Sequence, residues 1–198
     1  MSKLWTFGDS FTAGNGVLPN EPFPEYKKPE EGIPWPLILS QKLNLELKNK
    51  GMGLFSNDKI IDTILENYHF IREGDIVIIG KTFSFRVDIP NKKNDALLTV
   101  APGHFYSLQN DYTKSEIQSI NELIILFDSP LVKHRQDFRF NFLKQLIEPK
   151  AKCILWDVDI WEDYETIKEA TNYFIDDSHW SYKGHRDFAD FMLNKIIK

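Results

Sequence analysis

The run Ile76-Val77-Ile78-Ile79, closed off by Gly74-Asp75 before it and Gly80 after it, constrains this chain more than any other feature. Consecutive β-branched aliphatics with no polar alternation describe a strand covered on both faces, as parallel strands between helical layers are. Ala151 to Val158 (Ala-Lys-Cys-Ile-Leu-Trp-Asp-Val) has the same character, and Leu4 to Phe7 is a shorter apolar stretch running directly into Gly8-Asp9-Ser10. From Trp35 the pattern of Leu37, Ile38, Leu43, Leu45 and Leu47 suggests a helix running into a further short strand near Leu45 to Asn49, ahead of a glycine turn at Gly51 and Gly53. Helical spacing fills the intervals. Ser56 or Asn57 is placed to cap a helix with Ile60, Ile61, Ile64, Leu65 and Tyr68 on one face. Ser115 to Leu126 has the same periodicity, Pro130 interrupts it, and Phe138 to Ile147 resumes it; a last helix from about Ser181 carries Phe188, Phe191, Met192 and Ile196. Alternating strands and helices predict an α/β fold, with a short parallel sheet of four to five strands in a three-layer α/β/α arrangement.

Two stretches break the alternation. Val17 to Pro36 holds Pro19, Pro22, Pro24, Pro29, Pro34 and Pro36, a density that forbids a regular helix or central strand. From about Asp88 to Asp111 the chain again reads as irregular. With 198 residues and no internal repeat, a single domain over 1–198 is expected. The net charge of −5 argues against general nucleic-acid binding, and no apolar run reaches a membrane span. Residues 1–5 lack the pattern of a secretory signal, so a cytoplasmic protein is expected. The lone Cys153 excludes an internal disulfide and a cysteine-based zinc cage, and it reads as a buried packing residue.

In open parallel sheets, ligands bind beyond the carboxyl ends of the strands. There, Ser10 follows the first strand at the start of a helix, where its hydroxyl and backbone N–H can serve one point in space. A serine needs an oriented base to become nucleophilic. Asp176-Asp177-Ser178-His179 supplies one near the other end of the chain: Asp176 and His179 are three residues apart, close enough for the carboxylate to fix the imidazole tautomer. Asp177 competes for that role at a spacing of two.

These residues resemble the blocks of the SGNH (GDSL-type) hydrolase family. Gly8-Asp9-Ser10 matches its nucleophile block, Asn49 to Asn57 resembles the second, the strand Ile76–Ile79 with Gly80 leads into the third, and Asp176-x-x-His179 with Gly184-His185 matches the last. The resemblance implies a flavodoxin-like sheet and ester hydrolysis without metal or organic cofactor. It implies Ser10, His179 and Asp176 as catalytic residues, and oxyanion donors from Ser10, from Gly53 or Leu54, and from Thr82. Asp9, Trp35, Asn57 and Arg86 are candidate substrate contacts, with Phe105 and Tyr106 as further wall residues. The substrate would be a small-molecule or glycan ester, with acetyl suggested by analogy.

Two departures stand out. The family's third block is Gly-x-Asn-Asp, whereas this chain reads Gly80-Lys81-Thr82-Phe83 with Arg86 following, a pattern similar to that of divergent, phage-associated relatives. In the second block Leu54 stands where glycine is usual. One rival reading is a binding module that lost efficient catalysis and uses the same cleft to hold a glycan or an assembly partner. Another takes Asp157-Val158-Asp159 as the Asp-x-Asp of a magnesium-dependent phosphatase, but Ile160-Trp161 replaces the residues expected next.

Overall fold

The computed structural model describes residues 2–15, 33–94, 96–102, 108, 111–157, 179–180 and 182–198. In chain order the strands among them are β1 (Lys3–Phe7), β2 (Glu46–Asn49), β3 (Ile76–Lys81), β4 (Val87–Pro90), β5 (Leu97–Val100) and β6 (Lys152–Asp157). The helices are α1 (Ser10–Ala13), α2 (Trp35–Leu43), α3 (Asn57–Asn67), α4 (Lys114–Phe127), α5 (Pro130–Ile147) and α6 (Tyr182–Ile197).

Four strands form one parallel sheet in the order β2-β1-β3-β6. Period-two alternation sends successive residues of its central strands to opposite layers. Leu4, Ile78 and Trp156 pack with Trp35, Ile38 and Leu39 of α2 and with Phe188, Ala189 and Met192 of α6. Trp5, Phe7, Val77, Ile79 and Cys153 pack on the other side with Ile60, Ile61 and Ile64 of α3 and with Phe140, Leu143 and Ile147 of α5. The uninterrupted aliphatic run of β3 is thereby explained, since both of its faces are core. The chain leaves β1 for β2 on one side and returns to β3 on the other, so the strand order reverses between β1 and β3, the position whose carboxyl ends bind ligands in open α/β sheets.

The structure differs from the sequence reading in four places. The stretch after Val87 contains an antiparallel hairpin, β4 with β5, closed by a bond from the Asn91 N–H to the Ala96 carbonyl (3.0 Å). Its strands are four residues each, too short for a periodic signal, and they shelter a small core of Val87, Ile89, Val100, Leu108, Ile120 and Ile124 under α4. Pro130 begins a helix instead of interrupting one: it follows the N-cap Ser129, where a missing N–H costs nothing. At Trp35 and Pro36, where the expected loop and the expected helix overlap, the helix prevails: both residues belong to the first turn of α2. Leu65 is half exposed, flanking the apolar face of α3. Most of the proline-rich stretch lies outside the described residues. Among the described residues no helix is long and apolar enough to cross a membrane.

Candidate active site

The nucleophile block is held by a turn at the end of β1. Asp9 is the N-cap of α1, its Oδ1 accepting the Phe11 N–H at 3.1 Å, so Ser10 is the first helical residue. Gly8 permits the tight fold-back, since a Cβ there would lie 2.2 Å from Thr12 Oγ1. Ser10 is 3% exposed and sits above the carboxyl edge of the sheet. A first-turn N–H has no partner within its own helix, which leaves that of Ser10 directed away from the helix bonds.

The second block is stitched along this turn. Asn49 accepts the Thr6 hydroxyl and the Gly51 N–H, each at 3.0 Å, while its Nδ2 donates to the Thr12 carbonyl at 3.0 Å. The Met52 N–H donates to the Gly8 carbonyl at 3.2 Å. Gly51 is required by proximity: a Cβ would stand 2.5 Å from the Ala13 nitrogen and 2.7 Å from the Thr12 carbonyl carbon. Three residues on, Leu54 has φ of +63°, a left-handed conformation that a glycine adopts freely and a leucine does not. The backbone therefore keeps a glycine-like turn where the side chain has departed from one. Gly53 lies beside it, with the Asn15 amide nitrogen 3.2 Å from where a Cβ would stand.

The third block is organised around Asp9. The Thr82 hydroxyl donates to Asp9 Oδ2 at 2.7 Å, and Arg86 Nη1 donates to the same oxygen at 2.9 Å. Arg86 Nη1 also reaches the Phe55 carbonyl at 3.3 Å, and its guanidinium carbon lies 5.3 Å from the Phe83 ring centroid. The expectation that Thr82 Oγ1 donates to an oxyanion meets a competing partner here, because the hydroxyl has one hydrogen and it is directed to Asp9.

Asp9 and Arg86 make an ion pair with each other. Asn57 is 1% exposed: its Nδ2 donates to the Thr82 carbonyl and to Gln136 Oε1, and its Oδ1 accepts the Thr82 N–H, all at 2.9 Å. Trp35 is fully buried, its indole N–H donating to the Phe11 carbonyl at 3.0 Å. Asn57 and Trp35 thus frame the site from within the core. No sequence periodicity exposes a pair such as Asp9 and Arg86, separated by 77 positions.

From the far end of the chain, the His179 ring packs beside Phe11, the residue after Ser10, with centroids 5.5 Å apart. Trp180 stacks at a tilt on the same Phe11 ring at 4.9 Å. His185 is fully buried, accepting the Trp35 N–H on Nδ1 at 3.3 Å and facing the Asn15 carbonyl with Nε2 at 3.4 Å. Those partners fix the hydrogen on Nε2. Burial, with His179 nearby, lowers its pKa to about 4 against the help of the Asn15 carbonyl. Asp176, Asp177, Asp159, Phe105 and Tyr106 lie outside the described residues. Asp157, the first aspartate of the phosphatase reading, is ion-paired with Lys81, which also pairs with Asp137. Burial alone would lower the Lys81 pKa, but the hydrogen bonds to Asp137 and Asp157 outweigh it and hold the pKa above the usual lysine value. Cys153 is buried, and its thiol pKa is pushed up to about 12, chiefly by desolvation.

No protein-family model and no curated protein matches the chain. Among solved structures it is similar to a member of the lipolytic G-D-S-L family from Veillonella parvula, at 13% identity and a TM-score of 0.45, covering 98% of this chain and 97% of that one. A psychrotrophic esterase from Pseudoalteromonas sp. is similar at 14% identity and a TM-score of 0.46, covering 99% and 97%. A lipase/acylhydrolase from Enterococcus faecalis is similar at 11% identity and a TM-score of 0.45, covering 99% and 95%.

Proposed function

We propose that the protein is a serine ester hydrolase. The observation that carries the reading is the packing of His179 against Phe11, which brings an imidazole from the last segment of the chain beside the residue that follows Ser10. In this reading Ser10 Oγ attacks the acyl carbonyl as His179 takes its proton, and Asp176 holds the imidazole in the required tautomer. The backbone N–H groups of Ser10 and of Gly53 or Leu54 receive the oxyanion. His179 then protonates the departing alcohol, and a water activated by the same imidazole releases the acid. The substrate is a small-molecule or glycan ester, a short acyl group being favoured by family analogy.

The engagement of Thr82 with Asp9 supports the second reading, a binding module with weakened turnover. Without a side-chain donor from the third block, the transition state loses on the order of 3 kcal/mol of stabilisation. One experiment separates the two. Under the hydrolase reading, a fluorophosphonate labels Ser10 and p-nitrophenyl acetate is turned over. Ser10→Ala abolishes both, and His179→Ala or Asp176→Asn lowers turnover by about a thousandfold or more. Absence of labelling, or turnover that survives Ser10→Ala, rejects the hydrolase.

A further inference from the structure

We infer that Arg86 is a positioning residue that clamps the nucleophile turn to the oxyanion turn, an inference resting on the proposed hydrolase reading. One guanidinium nitrogen spans the two. Its bond to Asp9 Oδ2 (2.9 Å) engages the carboxylate whose other oxygen caps α1 at Phe11, and its bond to the Phe55 carbonyl (3.3 Å) engages the residue directly after Leu54. Ser10 lies between Asp9 and Phe11, so the first contact holds the backbone on both sides of the nucleophile. The second holds the turn whose Leu54 keeps a positive φ of 63°. A strained non-glycine residue persists only where its surroundings over-determine it, and the bond to Phe55 is such a constraint.

The pair is built for rigidity. The Asp9 and Arg86 side chains are 2% and 11% exposed, so solvent screens their attraction little. Thr82 adds a second donor to the same carboxylate oxygen, and the Phe83 ring lies under the guanidinium. Arg86 is itself fixed by a tight turn, its N–H donating to the Phe83 carbonyl at 3.2 Å. A lysine's ammonium carries enough hydrogens for both acceptors, but it ends short of the Nη1 position and lacks the planar face that lies over Phe83. The clamp thus uses the third block, where the family's asparagine is missing, to hold two backbone donors in register.

The test combines kinetics with local amide exchange. Arg86→Met and Arg86→Gly are expected to lower kcat for p-nitrophenyl acetate at least tenfold with KM changed less than twofold. Arg86→Lys should fall between these variants and the parent, and millimolar guanidinium ion should restore part of the Arg86→Gly rate. Because Arg86→Met strands the Asp9 charge, the combination with Asp9→Asn is measured alongside; it is expected to fold and still to be slow. Amide exchange should accelerate together in segments 9–12 and 53–56. A rise in KM alone would make Arg86 a substrate contact and overturn the proposal. So would an unchanged kcat, or exchange raised evenly over the chain. If the parent protein neither labels at Ser10 nor turns over ester, the hydrolase reading fails on its own. The exchange arm then decides the clamp: joint loss of protection sustains the coupling of the two turns, and unchanged protection refutes it.

Discussion

Acidification from pH 7 to pH 4 is expected to remove about 3 kcal/mol of stability through His185 alone. In the folded protein its pKa is about 4, against 6.5 for an exposed histidine, because burial disfavours the charged ring. Above pH 6.5 the residue is neutral in both states and its contribution is complete. Between 6.5 and 4 the unfolded chain takes up a proton that the folded protein refuses, so stability falls by up to about 1.4 kcal/mol per pH unit. Below 4 both states are protonated and this contribution is lost. The geometry explains the refusal: a proton added to Nδ1 would confront the Trp35 N–H already directed at that nitrogen. Urea denaturation at half-unit steps from pH 7 to pH 4 measures the effect, with His185→Gln as reference because it retains every carboxylate. The parent-minus-variant difference in unfolding free energy should shrink across this window, most steeply between pH 6 and 5 and about half as steeply at pH 4. A difference that stays flat from 6.5 to 4 would refute the reasoning.

Three further outcomes follow from local geometry. Gly51→Ala drives a methyl group into the Ala13 nitrogen and Thr12 carbonyl carbon, at 2.5 and 2.7 Å, which should cost about 1–3 kcal/mol in urea denaturation and slow ester turnover by shifting α1. Leu54→Gly relieves the positive φ of a half-exposed side chain; since glycine also gains freedom in the unfolded chain, thermal unfolding should show stability unchanged or raised by no more than about 1 kcal/mol. Cys153, buried with a thiol pKa of about 12, should resist iodoacetamide at pH 8 in the native protein and react promptly in urea, as mass spectrometry would register.

Elements with strong local signals were legible in the sequence. The aliphatic run of β3 needs no context, because four branched residues between turns have few other uses. The cap at Ser56 and the end of β1 at Gly8-Asp9-Ser10 were legible for the same reason: a specific backbone geometry demands specific residue types. The hairpin escaped because Val87–Pro90 carries too few residues to show alternation and ends in proline. Pro130 misled because the same ring that breaks a helix interior suits a helix start, and only Ser129 before it tells them apart. In the site, the types of residue were readable but their partners were not. Nothing local to Thr82 or Arg86 announces that each donates to a carboxylate more than seventy positions earlier.

The lobe formed by β4, β5 and α4 has an apolar centre of its own, apart from the two cores that flank the sheet. Polar stitches help to join it to the rest, among them Ser56 and Lys59 with Asp88, Lys59 with the Leu97 carbonyl, and Ser84 with Asp128. A unit with a separate centre has its own opening equilibrium, distinct from global melting. Arg86 stands at the base of β4, immediately before Val87, so an opening of the lobe that displaced β4 would pull on its bonds to Asp9 and Phe55. Substitutions at Val100 or Ile124, remote in sequence from Ser10, would then tune the site by changing how often its neighbour lets go.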